Sequence, residues 1–185
     1  MKVMLHACCG PCLIEPFDAL DEEHDVTVCY ANPNIHPFEE YRRRFDTLLE
    51  YAQASHITVI EEPYEIADWM RAVAGLEDDP VERCGACFRL RLGMTARRAA
   101  EMGFDAVATT LTVSPYQDAD AIREAGVEAC RAAGVSYLDV DYRDRYRSAT
   151  ERSRRLGMYR QNYCGCVLSD VEARKAREQR RARRT

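Results

Sequence analysis

The sequence predicts one α/β domain with a doubly wound, five-stranded parallel sheet in the strand order 3-2-1-4-5. Short apolar runs of strand length alternate five times with segments of helix length, and no hairpin signal lies between two strands. A chain of 185 residues with 46% apolar and 31% charged residues has the size and composition of a single globular domain. We therefore expect an α/β core over residues 1–141 and a helical, basic C-terminal extension over residues 142–185.

The first part of the chain supplies two strands and the helices that follow them. Residues 2–7 form an apolar run that predicts the first strand, and Pro11 suits the first turn of a helix that continues to about residue 22. Residues 25–31 are rich in β-branched and aromatic side chains, which favours a strand. After an Asn- and Pro-rich loop at 32–37, apolar residues recur at helical spacing. These residues are Phe38, Tyr41, Phe45, Leu48, Leu49 and Ala52.

The same two patterns continue toward the C-terminus. They predict three further strands, at residues 57–61, 104–109 and 135–140. They also predict helices at residues 64–74, 88–102, 118–133 and 143–156, and a last helix that begins at residue 168. The acidic segment 75–83, which contains Pro80, is interpreted as a loop that leads to Cys84. Gly103 and Gly134 are typical helix C-caps and mark the ends of the helices before them.

Nine cysteines are a high count for a chain whose N-terminus has no long apolar leader segment. We expect such a chain in the cytoplasm, where clustered thiols indicate metal or redox chemistry rather than a disulfide framework. Seven of the cysteines fall into three groups. The groups are Cys8, Cys9 and Cys12, then Cys84 and Cys87, then Cys164 and Cys166. Cys29 and Cys130 stand alone in apolar surroundings and are interpreted as core residues.

The predicted strand order places several loops at one edge of the sheet. Open parallel sheets bind ligands at the carboxyl ends of their strands, where the strand order reverses. The loops after strands one, two and four share that edge, so Cys8 and Cys9 are expected near residues 32–37 and 109–116. A helix that begins near Pro11 directs its positive end at these thiols and favours thiolates. Candidate proton donors or substrate contacts on this edge are Tyr30, His36, Thr109, Thr110, Ser114 and Tyr116.

The number of thiols leaves several centres open. Four thiolates from Cys8, Cys9, Cys84 and Cys87 suit either a zinc ion or a four-iron cluster. The three further cysteines exceed the needs of one tetrahedral zinc. Cys164 and Cys166 fit either a second metal site together with Cys12 or a pair that cycles between dithiol and disulfide. The residues alone therefore allow structural zinc, an iron–sulfur centre or thiol–disulfide chemistry.

The formal net charge of −5 is unevenly distributed along the chain. Residues 167–185 carry seven lysines and arginines against three carboxylates, and a second basic run precedes them. That run consists of Arg143, Arg145, Arg147, Arg152, Arg154, Arg155 and Arg160. An acidic body with a basic end favours an anionic partner such as RNA, whose unpaired bases can stack on Tyr159 or Tyr163. A solvated helix face with compensating acids is the alternative interpretation.

Four motifs resemble those of one enzyme family, and they occur in the family's order. They are H-x-C-C-x-P at 6–11, C-x-x-C at 84–87, T-T-L-x-x-S-P-Y at 109–116 and Y-C-G-C at 163–166. Together they resemble the QueH-type epoxyqueuosine reductases over roughly residues 2–170. The resemblance implies an adenine-nucleotide α-hydrolase-like (HUP-like) fold, which agrees with the predicted sheet. It also implies an oxidoreductase that reduces an epoxide on the wobble base of tRNA to an alkene and so completes queuosine.

The same resemblance implies roles for individual residues. Cys8, Cys9, Cys84 and Cys87 are the implied ligands of a [4Fe-4S] cluster. Cys164 and Cys166 are implied to be a redox pair or ligands of an additional iron, and Cys12 replaces an aspartate that helps hold this iron in some relatives. We assign Tyr116 as a candidate proton donor. The expected substrate contacts are Tyr30, His36, Thr109, Thr110, Ser114 and Tyr163. The implied partners are the tRNA anticodon loop and an external electron donor.

Two other functions fit parts of the sequence. A tRNA-thiolation enzyme or ATP pyrophosphatase on the same fold needs an S-G-G-x-D-S loop after the first strand, but Cys8-Cys9-Gly10-Pro11-Cys12 occupies that place. A zinc-stabilised RNA-binding module without catalytic activity is the second alternative. No apolar run approaches the roughly 20 residues of a membrane span, so we expect no membrane association.

Overall fold

The structure, a computed structural model that describes residues 1–182, confirms the five-stranded parallel sheet in the order 3-2-1-4-5. The strands are β1 (Lys2–His6), β2 (Asp25–Tyr30), β3 (Val59–Glu61), β4 (Ala106–Thr109) and β5 (Ser136–Tyr137). β1 lies in the middle of the sheet, where Leu5 pairs with Val28 of β2 and Ala108 of β4. Arg183 and Arg184 of the predicted basic tail lie outside the described residues.

Helices cover both faces of this sheet. They are α1 (Gly10–Asp21), α2 (Phe38–Ala54), α3 (Ile66–Val73), α4 (Pro80–Glu101), α5 (Ala119–Ala133), α6 (Tyr146–Arg155) and α7 (Val167–Ala182). Leu5 packs on one face with α1 and α2, whereas its neighbour Met4 packs on the other face with α4 and α5. This alternation follows from the period of two in a strand and explains why the three central residues of β1, Val3, Met4 and Leu5, are all apolar.

The beginning of α4 corrects the sequence prediction. The sequence pattern predicts a loop before Cys84 and a helix only from about residue 88, but the helix begins at Pro80. The Asp79 carboxylate caps it by accepting hydrogen bonds from the backbone N–H groups of Val81 and Glu82, both at 3.1 Å. Proline at the first helical position after an aspartate cap is a recognised start signal. Cys84 therefore lies on a helix and not in a loop.

The outer strands are shorter than the sequence pattern indicates. β3 begins at Val59 and not at residue 57, and β5 contains two residues where the pattern predicts six. After Tyr137, the backbone N–H of Leu138 still donates to the Val107 carbonyl at 2.8 Å, and then the chain leaves the sheet. Edge strands have one neighbour, so fewer hydrogen bonds hold them in register.

The C-terminal segment packs back onto the sheet domain. The helix predicted at 143–156 begins as a 3₁₀ turn (Arg143–Arg145) and continues as α6, which packs against α1. The Arg152 guanidinium donates to the carboxylates of Glu15 at 3.0 Å and Asp18 at 2.6 Å on α1. None of the helices within residues 1–182 is long and apolar enough to cross a membrane.

The contact between α5 and β5 predicts an unequal effect of two helix glycines. A Cβ atom at Gly126 would lie 2.3 Å from the Tyr137 ring, whereas the nearest atom to a Cβ at Gly93 is the Arg97 guanidinium at 3.5 Å. We expect Gly126→Ala to lower the free energy of unfolding by about 1–3 kcal/mol through overpacking. Gly93→Ala is the matched control and should raise it by about 0.5–1 kcal/mol through helix propensity. Urea denaturation of both variants measures the free energy of unfolding. Equal changes in the two variants would contradict the close contact between Gly126 and Tyr137.

Candidate active site

Three thiols meet at the carboxyl end of β1. Cys8 and Cys9 are buried directly after the strand, and Cys12 lies in the first turn of α1. The three sulfur atoms all lie within 4.8 Å of one another, and those of Cys9 and Cys12 are 2.8 Å apart. Within residues 1–182, this is the one group of three or more potential metal-ligand side chains at such short distances. All three are free thiols, so they can bind a metal directly.

The thiols of α4 connect this group to the C-terminal segment. Cys84 packs against the apolar cluster that contains Cys8 and Cys9. Cys87, one helical turn later, packs in a neighbouring cluster with Cys166 and the Trp69 ring of α3. The structure therefore brings the three sequence-distant cysteine groups to one end of the sheet.

A buried arginine of α2 fixes the loop that carries Cys164. The Arg44 side chain is 1% exposed and donates to the carbonyls of Cys164 at 2.9 Å and Tyr163 at 3.2 Å. Its Nε atom donates to the Glu40 carboxylate at 2.7 Å, which balances its charge. Glu40 also accepts a hydrogen bond from the Tyr159 hydroxyl at 2.7 Å. One ion pair therefore holds the C-terminal segment against α2.

The residue between Cys164 and Cys166 has to be glycine. Gly165 has a φ of 133°, and a Cβ atom there would lie 2.9 Å from the Ile35 side chain and 3.3 Å from the Arg44 guanidinium. Its carbonyl accepts a hydrogen bond from the His36 backbone N–H at 2.8 Å. The loop thus docks closely on residues 34–36, and a side chain would separate the two surfaces.

The two thiols of this loop have opposite acidities. Their sulfur atoms are 3.9 Å apart. A hydrogen bond from Cys166 lowers the pKa of Cys164 to about 5, and the Ser169 hydroxyl 3.0 Å away strengthens the effect. The same hydrogen bond raises the pKa of Cys166, which is buried. At neutral pH the exposed Cys164 is a thiolate and Cys166 is its thiol partner, as in a pair that performs thiol–disulfide exchange.

The thiols after β1 share protons in a similar way. Hydrogen bonds from Cys12 and Cys9 hold the pKa of Cys8 well below its usual range. Sharing with Cys8 raises the pKa of Cys12, and burial raises the pKa of Cys9 to about 12. The Gln161 side-chain amide donates to the Cys9 sulfur at 3.0 Å. The C-terminal segment therefore contacts this group through a polar side chain that no sequence motif indicates.

A cavity of about 420 Å³ opens beside the thiols, within the size range of small-molecule sites. Cys8, Cys12 and Cys164 all line it. Gln117 and Gln161 also line it, and the amide oxygens of both are buried and have no hydrogen-bond partner among residues 1–182. Because buried acceptors are usually paired, two unpaired amide oxygens on residues of the cavity wall are unusual.

Several residues predicted at the site line this cavity. Ser114, Tyr116 and Tyr163 are among its lining residues. Tyr116 is 85% exposed, and its ring meets the Tyr146 ring edge-on with centroids 6.1 Å apart. The Tyr163 hydroxyl donates to the His36 carbonyl at 2.5 Å, so its proton is already engaged.

Other predicted contacts are buried away from the cavity. Tyr30 is fully buried in the core, where its hydroxyl donates to the Tyr41 carbonyl at 3.2 Å. His36 is buried against the Trp69 ring, 4.7 Å between centroids, and its Nε2 atom lies 3.1 Å from the Pro33 carbonyl. These side chains support the loops of the site and do not line the cavity.

Thr109 and Thr110 are also buried after β4 and do not line the cavity. Burial, with Arg91 nearby, lowers the pKa of His6 to about 3, so its ring is neutral. The His6 Nε2 atom lies 3.3 Å from the Ala31 carbonyl, which can only accept a hydrogen bond, so Nε2 carries the ring proton and donates it. The Nδ1 atom of the neutral ring therefore accepts a hydrogen bond from the Thr109 hydroxyl at 2.9 Å. This bond ties the ends of β1 and β4 together.

Ion pairs compensate part of the predicted basic run. Arg152 pairs with Glu15 and Asp18. Arg147 pairs with Glu151 at 3.0 Å, and Arg143 pairs with Asp141 at 2.5 Å. Within residues 1–182, no carboxylate lies within 4.0 Å of the guanidinium groups of three other arginines of the run. These are Arg154, Arg155 and Arg160. Arg160 lines the cavity, so uncompensated positive charge lies at its rim.

Comparison with known proteins identifies the family. The family model described as "Epoxyqueuosine reductase QueH" matches residues 3–172. The chain belongs to the QueH family. The match includes all seven clustered cysteines and ends within α7.

Curated relatives agree with this assignment. An epoxyqueuosine reductase QueH of Dehalococcoides mccartyi is 36% identical over 174 residues, which cover 92% of this chain and 93% of the relative. The Streptococcus pyogenes protein of that name is 35% identical over 178 residues, or 91% of this chain and 70% of the relative. The Thermotoga maritima protein of that name is 32% identical over 179 residues, or 93% and 92% of the two chains.

The acidity of Cys164 predicts a selective reaction of this QueH-family protein in its metal-free, reduced form. Because the pKa of Cys164 is lowered to about 5, its alkylation by iodoacetamide should be constant above about pH 6 and half-maximal near pH 5. Ser169→Ala removes the hydroxyl that contributes to the lowered pKa of Cys164 and should move the midpoint to higher pH. Peptide mapping by mass spectrometry measures both. A midpoint near the ordinary thiol value of 9 would contradict the described loop.

Proposed function

We propose that this protein is an epoxyqueuosine reductase that acts on tRNA. The reaction converts the epoxide of the modified base to an alkene with two electrons and two protons, and the epoxide oxygen leaves as water. The observation that carries the proposal is the convergence of seven thiols beside a cavity with unpaired hydrogen-bond acceptors. Family membership supports the same conclusion, since the matching relatives are named for this activity.

The donor set fits an iron–sulfur cluster. Thiolates are the usual ligands of [4Fe-4S] clusters, and such a cluster supplies single electrons at low potential when bound. We assign Cys8, Cys9, Cys84 and Cys87 as its ligands. Each ligand of such a cluster binds a different iron, so the ligand thiols need to be spread out. Cys84 and Cys87 belong to α4 and not to the close group after β1, which supports this assignment.

Three thiols remain after this assignment. Cys12 and Cys164 line the cavity, and the sulfur atoms of Cys164 and Cys166 are 3.9 Å apart. We propose that these three act next to the substrate, either as ligands of an additional iron or, for Cys164 and Cys166, as a dithiol that cycles with its disulfide. The thiolate character of Cys164 at neutral pH favours both roles, because metal binding and disulfide exchange use the thiolate.

The cavity side chains match a polyhydroxylated ring. In the proposed binding mode, the amide oxygens of Gln117 and Gln161 accept hydrogen bonds from substrate hydroxyl or amine groups. Ser114 supplies a further polar contact, and the Tyr163 ring lines the cavity wall. Tyr116 at the exposed rim is the proposed proton donor, and its perpendicular contact with Tyr146 limits the positions of its ring.

The macromolecular substrate is expected to bind through its phosphates. Arg154, Arg155 and Arg160 have no carboxylate within ion-pairing distance among residues 1–182, so their charges are free to contact an anticodon loop. Lys175, Arg180 and Arg181 of α7 extend this charge. We propose that the protein acts in the cytoplasm, where tRNA is modified, and that an external donor supplies its electrons.

A zinc-stabilised RNA-binding module is the alternative that the close group after β1 favours. Three thiols within 4.8 Å suit a single tetrahedral ion. Such a protein would bind tRNA but would not convert epoxyqueuosine, so activity separates the two functions.

The ligand assignment predicts the effect of removing one cysteine of α4. Cys84→Ala should abolish both the cluster absorbance and the conversion of epoxyqueuosine to queuosine in tRNA, because the cluster would lose one of four ligands. Mass spectrometry of nucleosides from the treated tRNA measures the conversion. Cys130→Ala is the matched control, since Cys130 is buried in the core and belongs to none of the three groups. Full activity of Cys84→Ala would contradict the assignment.

The uncompensated arginines predict a salt-dependent contribution to binding. Replacing Arg154 and Arg155 by glutamine should weaken tRNA binding and reduce the slope of log affinity against log salt by about one for each arginine that binds a phosphate. Arg123→Gln is the control, because Arg123 of α5 pairs with Asp120 at 2.7 Å. Filter binding at several salt concentrations measures the slopes. An unchanged slope in the double variant would place the RNA elsewhere on the surface.

A further inference from the structure

Arg91 lies on the same helix as Cys84 and Cys87, although none of the four sequence motifs contains it. Its position on α4 is four residues after Cys87 and seven after Cys84, so all three side chains lie on one helix face. The side chain is 4% exposed and donates to the Asn32 amide oxygen at 2.7 Å. Asn32 in turn donates to the carbonyl of Ala7, the residue before Cys8, at 2.8 Å. Arg91 is thereby fixed between α4 and the turn after β1.

The charge of Arg91 is not balanced by a carboxylate. Within residues 1–182, no Asp or Glu oxygen lies within 4.0 Å of its guanidinium, and its Nε atom has no hydrogen-bond partner. The other two buried arginines are both paired. Arg44 contacts Glu40 and Arg83 contacts Glu172, each at 2.7 Å. A buried, unpaired cation costs several kcal/mol, so an anion is expected next to Arg91 in the functional protein.

The groups that can supply this anion are thiols. Cys84 and Cys87 lie on the same face of α4 as Arg91, and the bridge through Asn32 connects Arg91 to the residue before Cys8. An anionic centre built from these thiolates would therefore balance the guanidinium.

We propose that Arg91 is the counter-cation of the thiolate-bound iron–sulfur centre and that its fixed charge raises the reduction potential of that centre. This inference rests on the function proposed above. Reduction adds one negative charge, so a nearby positive charge favours the reduced form in a buried, low-dielectric site. Arg91 does not line the cavity, so it is a positioning residue that acts through the centre and not through the substrate.

The proposal is tested by the potential of anaerobically reconstituted full-length protein. The measurement is a redox titration followed by EPR. At the potential where half of the wild-type cluster is reduced, Arg91→Met should lower the ratio of reduced to oxidised cluster about tenfold. For a one-electron step this corresponds to a decrease of 59 mV in the midpoint potential. Arg91→Lys keeps the charge and should change the ratio less than about threefold. Arg98→Met is the matched control on α4, because Arg98 is balanced by Glu62 at 2.5 Å and should leave the ratio unchanged.

Each other outcome has a defined meaning. A wild-type midpoint in Arg91→Met, with full iron content, would overturn the role of Arg91 and leave the proposed function intact. If Arg91→Met folds but loses the cluster while Arg91→Lys retains it, the charge requirement is supported. Loss of the cluster in Arg91→Met, Arg91→Lys and Asn32→Ala alike would assign the effect to the hydrogen bond with Asn32 and overturn the proposal. A wild-type protein that binds no iron would instead contradict the proposed function.

Discussion

The parallel pairing of β1 with both β2 and β4 determines where the clustered thiols of this protein lie. Because β1 is central, the turn after His6 lies between the loops that follow its two neighbours. The hydrogen bond between His6 and Thr109 fixes one side of this turn, and that between Asn32 and Ala7 fixes the other. Cys8 and Cys9 are thus presented at the strand-order reversal, the position where open α/β sheets bind ligands.

Two buried arginines complete the site in different ways. Arg44 is balanced by Glu40, so its remaining N–H groups are free to hold the carbonyls before and at Cys164. This ion pair brings the C-terminal loop to the sheet edge, and Gly165 permits the close approach. Arg91 has no such partner among the described residues and lies where negative charge is needed. The two arginines therefore differ in role: Arg44, which is paired with a carboxylate, supports the loop, whereas Arg91, which is not, is the one proposed to act on the thiol-bound cluster.

The sequence predicts the sheet well because alternating strands and helices leave few topologies open. It predicts side-chain direction poorly. Tyr30 and Thr109 are the last residues of β2 and β4, yet both side chains are buried in the protein. Sequence reasoning misses Arg44 because an arginine beside an apolar stripe is usually solvated, and its partner Cys164 lies 120 residues away. The local sequence does contain signals for two other features that the sequence prediction misses. Asp79-Pro80 marks the start of α4, and the spacing from Cys87 places Arg91 on the thiol face.

The central claim is that thiols from three distant segments hold an iron–sulfur cluster at this edge of the sheet. Analysis of iron and acid-labile sulfide in the anaerobically prepared wild-type protein tests it most directly. The account predicts a brown protein with about four sulfides and at least about four irons per chain. A colourless protein that carries zinc and no labile sulfide would contradict it.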